Sequence, residues 1–249
     1  MTTKNTNPPA AAAPLRLSLC LLTWNERAGC EVDVPLLPLT AFDEVYAVDA
    51  GSKDGTREYL EAQGITVHKQ PVRGYNQAYL HAFRTCTTDA LVLFHPKGSI
   101  DPAELLRFRP LFAEGYDLII ASRLLKGARN EEDDRLWRPR KWFVRGLGLL
   151  AAVLWRRRGH RVQDVLHGFR GMRREAFFAI QPLAEGVSID LEMVVRAYRA
   201  GLRAIEFAVI EQRRLSGATH FKAFHTGKRL LAYLAHELTR SVTEAESSR

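Results

Sequence analysis

The sequence has few sulfur-containing residues and no long apolar run. Its three cysteines, Cys20, Cys30 and Cys86, follow neither a CxxC nor a zinc-type spacing. That excludes a disulfide framework and a structural zinc site, and a reducing compartment is the simplest setting for the chain. No stretch reaches the roughly 20 apolar residues of a spanning helix; the nearest, Trp142 to Trp155, is shorter. Met1 to Pro14 is rich in Thr, Asn, Pro and Ala and lacks the apolar block of a signal peptide, so a flexible arm is expected at 1–14. Acidic residues are the minority charge, 28 against 36 Lys and Arg, for a net charge of +8. Such a balance favours an anionic partner: nucleic acid, a phosphorylated small molecule or an acidic membrane surface.

With 46% hydrophobic residues in 249, the chain can build one sizeable core. A single domain is expected over 15–240, followed by a flexible tail at 241–249. Leu15 to Thr23, Glu44 to Asp49, Ile65 to Lys69, Ala90 to Phe94 and Asp117 to Ala121 read as short buried strands. Helical spacing lies between them at Arg57 to Gln63, Gly74 to Cys86 and Pro102 to Phe112. This alternation predicts an α/β fold with a mainly parallel sheet flanked by helices, and ligands at the carboxyl ends of the strands. The loops that open at Thr23, Asp49 and Phe94 are therefore the ones to inspect. Further on, helices are expected at Ser188 to Ala200 and Phe221 to Arg240, with a strand at Ala204 to Glu211 between them.

Those loops carry an ordered set of motifs. Leu22-Thr23-Trp24-Asn25-Glu26 follows the first strand, and Val48-Asp49-Ala50-Gly51-Ser52-Lys53-Asp54-Gly55-Thr56 the second. Gly74, Gly98 with Asp101-Pro102, Ala121-Ser122-Arg123, Asp164 through Gly168-Phe169-Arg170, and Arg214 through Gly217 with Thr219 come after them. In this order, from about Leu17 to Leu231, the chain resembles family-2 glycosyltransferases of the GT-A nucleotide-diphospho-sugar fold. Within them it resembles the dolichol-phosphate mannose synthase-like and bacterial polyprenyl-phosphate sugar transferases. The resemblance implies a nucleotide-sugar donor, a polyprenyl-phosphate or glycan acceptor, and a cytoplasmic location at the inner face of the cell membrane.

It also implies a donor slot formed by Thr23, Trp24, Glu26, Val48 and Asp49, with Arg123 and His220 on the phosphate side. The capping reading of Asp54 and Thr56 stands beside it, since both open the next helix. The chain departs from the family at two places. Ala50 stands where a second carboxylate would face the base. His95-Pro96-Lys97 stands where relatives have Asp-x-Asp, whose oxygens hold Mg²⁺ or Mn²⁺.

Three readings of this triplet remain open. Lys97 replaces the cation and neutralises the leaving diphosphate with Arg123, Arg170 or His220; the domain binds a nucleotide or a partner protein without catalysis; or a divalent ion sits between His95 and Asp49 or Asp101. Catalytic candidates are Lys97, Asp164, Arg170 and Asp190. Asp190 is the base that a hydroxyl acceptor would require, or a helix-terminal carboxylate with Ser188 as cap. The basic, apolar segment 135–161 is read either as an interfacial amphipathic helix on an anionic leaflet or as a core helix with a solvated basic rim. Nucleic acid is not expected as a partner, because the cationic residues form no known module.

Overall fold

The computed structural model describes residues 14–130, 133, 138–213 and 223–247. Seven strands form one sheet: β1 Leu17–Thr23, β2 Glu44–Asp49, β3 Thr66–Lys69, β4 Ala90–Phe94, β5 Leu118–Ser122, β6 Arg170–Arg173 and β7 Ala204–Ala208. Their order is β3-β2-β1-β4-β6-β5-β7. All pairings are parallel except those of β6, which runs antiparallel to both β4 and β5.

The helices are α1 Arg27–Asp33, α2 Thr56–Ala62, α3 Tyr75–Thr85, α4 Phe108–Ala113, α5 Pro139–Trp155, α6 Arg174–Ala179, α7 Ile189–Ala200 and α8 Ala223–Ser247. They cover both faces of the sheet, which is why the central strands are apolar on both sides. In β1, Leu17, Leu19 and Leu21 pack with Cys30 of α1, Leu60 of α2 and Phe108 and Phe112 of α4. Cys20 and Leu22 point the other way, into a cluster with Tyr79 and Phe83 of α3, Leu147 and Ala151 of α5 and Val194 of α7. The Phe83 and Phe177 rings stack at 3.7 Å and tie α3 to α6. Cys20, Cys30 and Cys86 are buried free thiols.

β2 and β4 have the bounds expected from sequence, and β1, β3 and β5 shift by one or two residues. Residues 102–113 are a 3₁₀ turn, Pro102–Arg107, leading into α4, where one helix is expected. The last strand stops at Ala208 and not at Glu211. α8 continues through 241–247, where no Gly or Pro interrupts the chain after Gly227. The arm at 1–13 lies outside the described residues. No described helix is long and apolar enough to cross a membrane.

Candidate functional site

Both loops that open the parallel half of the sheet are sewn into one surface. Asp49, at the end of β2, accepts four hydrogen bonds: from Thr23 Oγ1 at 3.1 Å, from Ser52 Oγ at 2.5 Å, and from the Gly51 and Ser52 amides at 2.8 Å each. A carboxylate offers about four lone-pair sites, so Asp49 is consumed in shaping the turn. Asn25 answers from the β1 loop, accepting from the Lys53 amide while its own amide donates to Ser52 Oγ. Asp54 accepts from Thr56 at the start of α2 and from the Arg27 amide at the start of α1, but it precedes the N-cap residue Gly55 and is not itself the cap expected of it. Thr23, Glu26 and Val48 are buried at this seam, and the Arg73 guanidinium lies over the half-exposed Trp24 ring at 5.7 Å. Trp24 is thus the exposed side chain of this seam. Asp49 ties the two loops together from beneath.

The His95-Pro96-Lys97 loop leaves β4 between two further networks. On one side α1 presses against its backbone. A Cβ on Gly29 would fall 2.2 Å from the Pro96 carbonyl, so only glycine permits this approach. Asp33, also on α1, accepts from the Gly98 amide at 2.8 Å. Burial raises the Asp33 carboxyl to about 6 despite that bond.

On the side of His95 lies a buried cluster. A Cβ on Gly168 would sit 2.6 Å from His95 Cε1 and 3.1 Å from the Tyr75 and Tyr79 hydroxyls. Both hydroxyls donate to Asp190, at 2.8 and 2.7 Å, and Arg170 Nε lies 3.2 Å from the same carboxylate. Arg170 is fully buried and donates to the carbonyls of Val165, His167 and Asp190. Through these bonds it ties the start of β6 to the preceding loop and to α7. Asp190 has its oxygens occupied likewise, and its Ser188 neighbour makes no side-chain capping bond.

On the side of Lys97, Arg123 forms a bidentate pair with the wholly buried Asp164, Nε at 2.8 Å and Nη2 at 3.0 Å, and its amide donates to the same group. Burial works against ionisation of Asp164, but Arg123 outweighs it and holds the carboxyl at about 2. Asp164 is therefore the partner of Arg123 and not an open acid or base. Arg123 Nη1 also reaches Glu211 at 3.2 Å. Burial likewise opposes the Glu211 charge, yet Arg123, His167 and Lys97 keep its carboxyl below the ordinary range.

His167 Nδ1 donates to the Ala121 carbonyl, and burial lowers it to about 4, so it is neutral at physiological pH. The Ser99 carbonyl accepts from the Gln212 amide and draws the strand-seven extension onto this loop. Glu211, His167, Tyr75 and Tyr79 were not singled out from sequence. Only Glu211 carried a hint, as a carboxylate just before the Arg214 motif. His220 and the rest of that motif lie outside the described residues.

The donor set does not fit a hard divalent cation. Asp49, Asp164, Asp190 and Glu211 are each committed to hydrogen bonds or arginines, Asp101 accepts from the Ala103 amide, and no cluster of three ligating side chains exists among the described residues.

The family model for glycosyl transferase family 2 matches residues 39–180, more than half of the chain. The chain belongs to this family. It is 30% identical to the dolichyl-phosphate hexose transferase of Haloferax volcanii, over 74% of this chain and 76% of that one. It is 28% identical to glycosyltransferase AglJ of the same organism, over 75% of this chain, and spans 60% of AglJ's length. Glucosyl-3-phosphoglycerate synthase of Mycobacterium tuberculosis, solved with phosphoglyceric acid, superposes with a TM-score of 0.68 at 20% identity, covering 91% of this chain and 81% of that one. The same synthase has been solved with Mn²⁺, UDP and glucosyl-3-phosphoglycerate. The fold is accordingly GT-A, with a seven-stranded, mostly parallel sheet between helices.

Proposed function

We propose that the chain moves a sugar from a nucleotide-sugar donor to a polyprenyl-phosphate or another membrane-proximal acceptor, and that Lys97 serves in place of a divalent cation. The observation that carries the reading is the setting of Lys97. It follows β4 at the carboxyl edge of the sheet, on a backbone fixed by Gly29 and Asp33, beside the Arg123–Glu211 pair. An ammonium and a guanidinium held there suit the charge that develops on a departing diphosphate. The bond between the anomeric carbon and the diphosphate oxygen breaks, its electron pair leaves with the diphosphate, and an acceptor oxygen bonds to the carbon.

A phosphate acceptor is favoured over a hydroxyl, because a phosphate oxygen is anionic already and needs no base. Asp190, the base candidate, has both oxygens engaged by Tyr75, Tyr79 and Arg170. The dolichyl-phosphate relative supports the same acceptor class, and the UDP-bound synthase supports a nucleoside diphosphate in the slot walled by Trp24. Its Mn²⁺ has no matching donor set here, and Lys97 takes over its electrostatic task.

The test is turnover of a panel of nucleotide sugars with polyprenyl phosphate, with and without EDTA. Transfer is expected in both, and Lys97→Ala should lower it by about 10²- to 10³-fold, the scale of losing one preorganised charge-stabilising group. No transfer across the panel would overturn the activity and leave a nucleotide- or partner-binding domain. Unchanged turnover in Lys97→Ala would overturn the role of Lys97 alone.

A further inference from the structure

Helix α5 is apolar on two faces. Its inner face, Val144, Leu147, Gly148, Ala151, Ala152 and Trp155, is buried in the core. Its outer face carries Trp142, Phe143, Leu149, Leu150, Val153 and Leu154, all exposed, with Val153 at 72% and Trp142 at 54%. At 100° per residue these six, with Gly146 among them, occupy one continuous arc that contains no charged residue. Contiguous apolar surface of this kind marks an interaction site.

The charges sit around that arc, and all have one sign. Residues 139–161 contain no Asp or Glu, and hold Arg140, Lys141 and Arg145 toward one end and Arg156, Arg157, Arg158 and Arg161 at the other. Apart from Lys141, which pairs with Asp133, these cations are exposed. A protein partner would have to meet six cations around a greasy stripe with matching acids. An anionic bilayer supplies both halves at once, headgroup charge at the rim and acyl chains beneath.

We infer that the outer face of α5 is a docking surface for an anionic lipid bilayer, on which the helix lies flat. Trp142 and Phe143 sit at the end of α5 nearest the site, where Arg145 donates to the Leu124 carbonyl at 3.3 Å, next in sequence to Arg123. Docking would therefore bring the Arg123 edge of the site to the headgroup level, where a lipid phosphate resides. This orientation rests on the proposed acceptor class; the docking itself does not.

The experiment is co-sedimentation of the full chain with vesicles of phosphatidylglycerol mixed with phosphatidylcholine, and with phosphatidylcholine alone. Binding is expected to the first and to fall steeply with salt. Replacing Arg156, Arg157 and Arg158 together by Gln should weaken it on the order of 100-fold, about 5-fold per cation. Leu149→Ser with Val153→Ser should weaken it by about tenfold or more. Both variants should keep the wild-type melting temperature, since all five side chains are outside the core. No vesicle binding, or binding that both variants retain, would overturn the inference, as would a wild-type dimer that the Leu149/Val153 variant dissociates. Transfer to a short-chain, water-soluble phosphate acceptor separates the two readings. Its persistence without vesicle binding sinks the docking surface, and its absence with vesicle binding intact sinks the acceptor.

Discussion

Four groups around the His95-Pro96-Lys97 loop, three buried and Glu211 partly buried, carry displaced proton affinities, and their signs do not all agree. His167 is held at about 4 by burial, so the unfolded chain binds its proton between roughly pH 6.5 and 4 while the folded chain does not, and stability falls as pH drops through that window. Asp33 is raised to about 6 by burial, so its contribution is fully present below about 3.8 and lost as pH rises through 6. Between pH 4 and 6 the two oppose each other. Below that window Asp164, held at about 2, and Glu211, held low by Arg123, both lose their contribution as they protonate. The net contribution of these four groups to the unfolding free energy should therefore be nearly flat between pH 6 and 4 and fall below 4. Asp33→Asn removes one of the two opposing slopes, and urea titrations of this variant should show a decline of about 1.4 kcal/mol per pH unit between 6 and 4. A variant as flat as the wild type would show that Asp33 and His167 do not offset one another.

At the scale of elements, α5 explains why the sequence left its two readings open. An apolar stripe is equally the mark of a core helix and of an interfacial one, and α5 has one apolar face that is buried and one that is exposed. Within that segment Leu147 is buried while Trp142, Phe143, Leu150 and Leu154 are exposed. The two faces should respond differently to truncation. Leu147→Ala is expected to cost about 2–5 kcal/mol through the cavity it leaves, whereas Val153→Ala should stay within about 0.5 kcal/mol. In a chain of this size each kcal/mol moves the melting temperature by about 2–4 °C, so thermal melts separate them. Equal shifts would mean that the inner and outer faces are misassigned. The parallel strands were legible for the same reason that α5 was ambiguous: β2 and β4 are short continuous apolar runs bounded by polar turns. β6 offered no such run. Arg170-Gly171-Met172-Arg173 becomes a strand only because β4 and β5 lie on either side to receive it, and Arg170 is buried only because three carbonyls and Asp190 converge on it. Pairings of this range leave no local periodicity to read.

For the whole molecule, the ordered loop motifs located the site edge but not the direction in which each side chain spends its bonds. Asp49 and Asp164 occupy the motif positions expected for them, and the fold uses both to hold neighbours in place. The consequence is a site in which Asp49, Asp164, Asp190 and Glu211 are each held by hydrogen bonds or arginines, beside the cations Lys97 and Arg123, in a molecule of net charge +8. Such a site should bind a nucleoside diphosphate sugar with no ion present. Ligand that binds only the folded state stabilises it by about 2.7 kcal/mol at a hundred times its dissociation constant, a rise of about 5–10 °C in a chain of this length. The expected result is that rise in EDTA for the matching nucleotide sugar, with no further rise on replacing EDTA by Mn²⁺. Lys97→Ala should lose most of it in both conditions. A shift that appears only with Mn²⁺ would mean that a cation finds ligands the folded site does not offer, and that Lys97 is not its substitute.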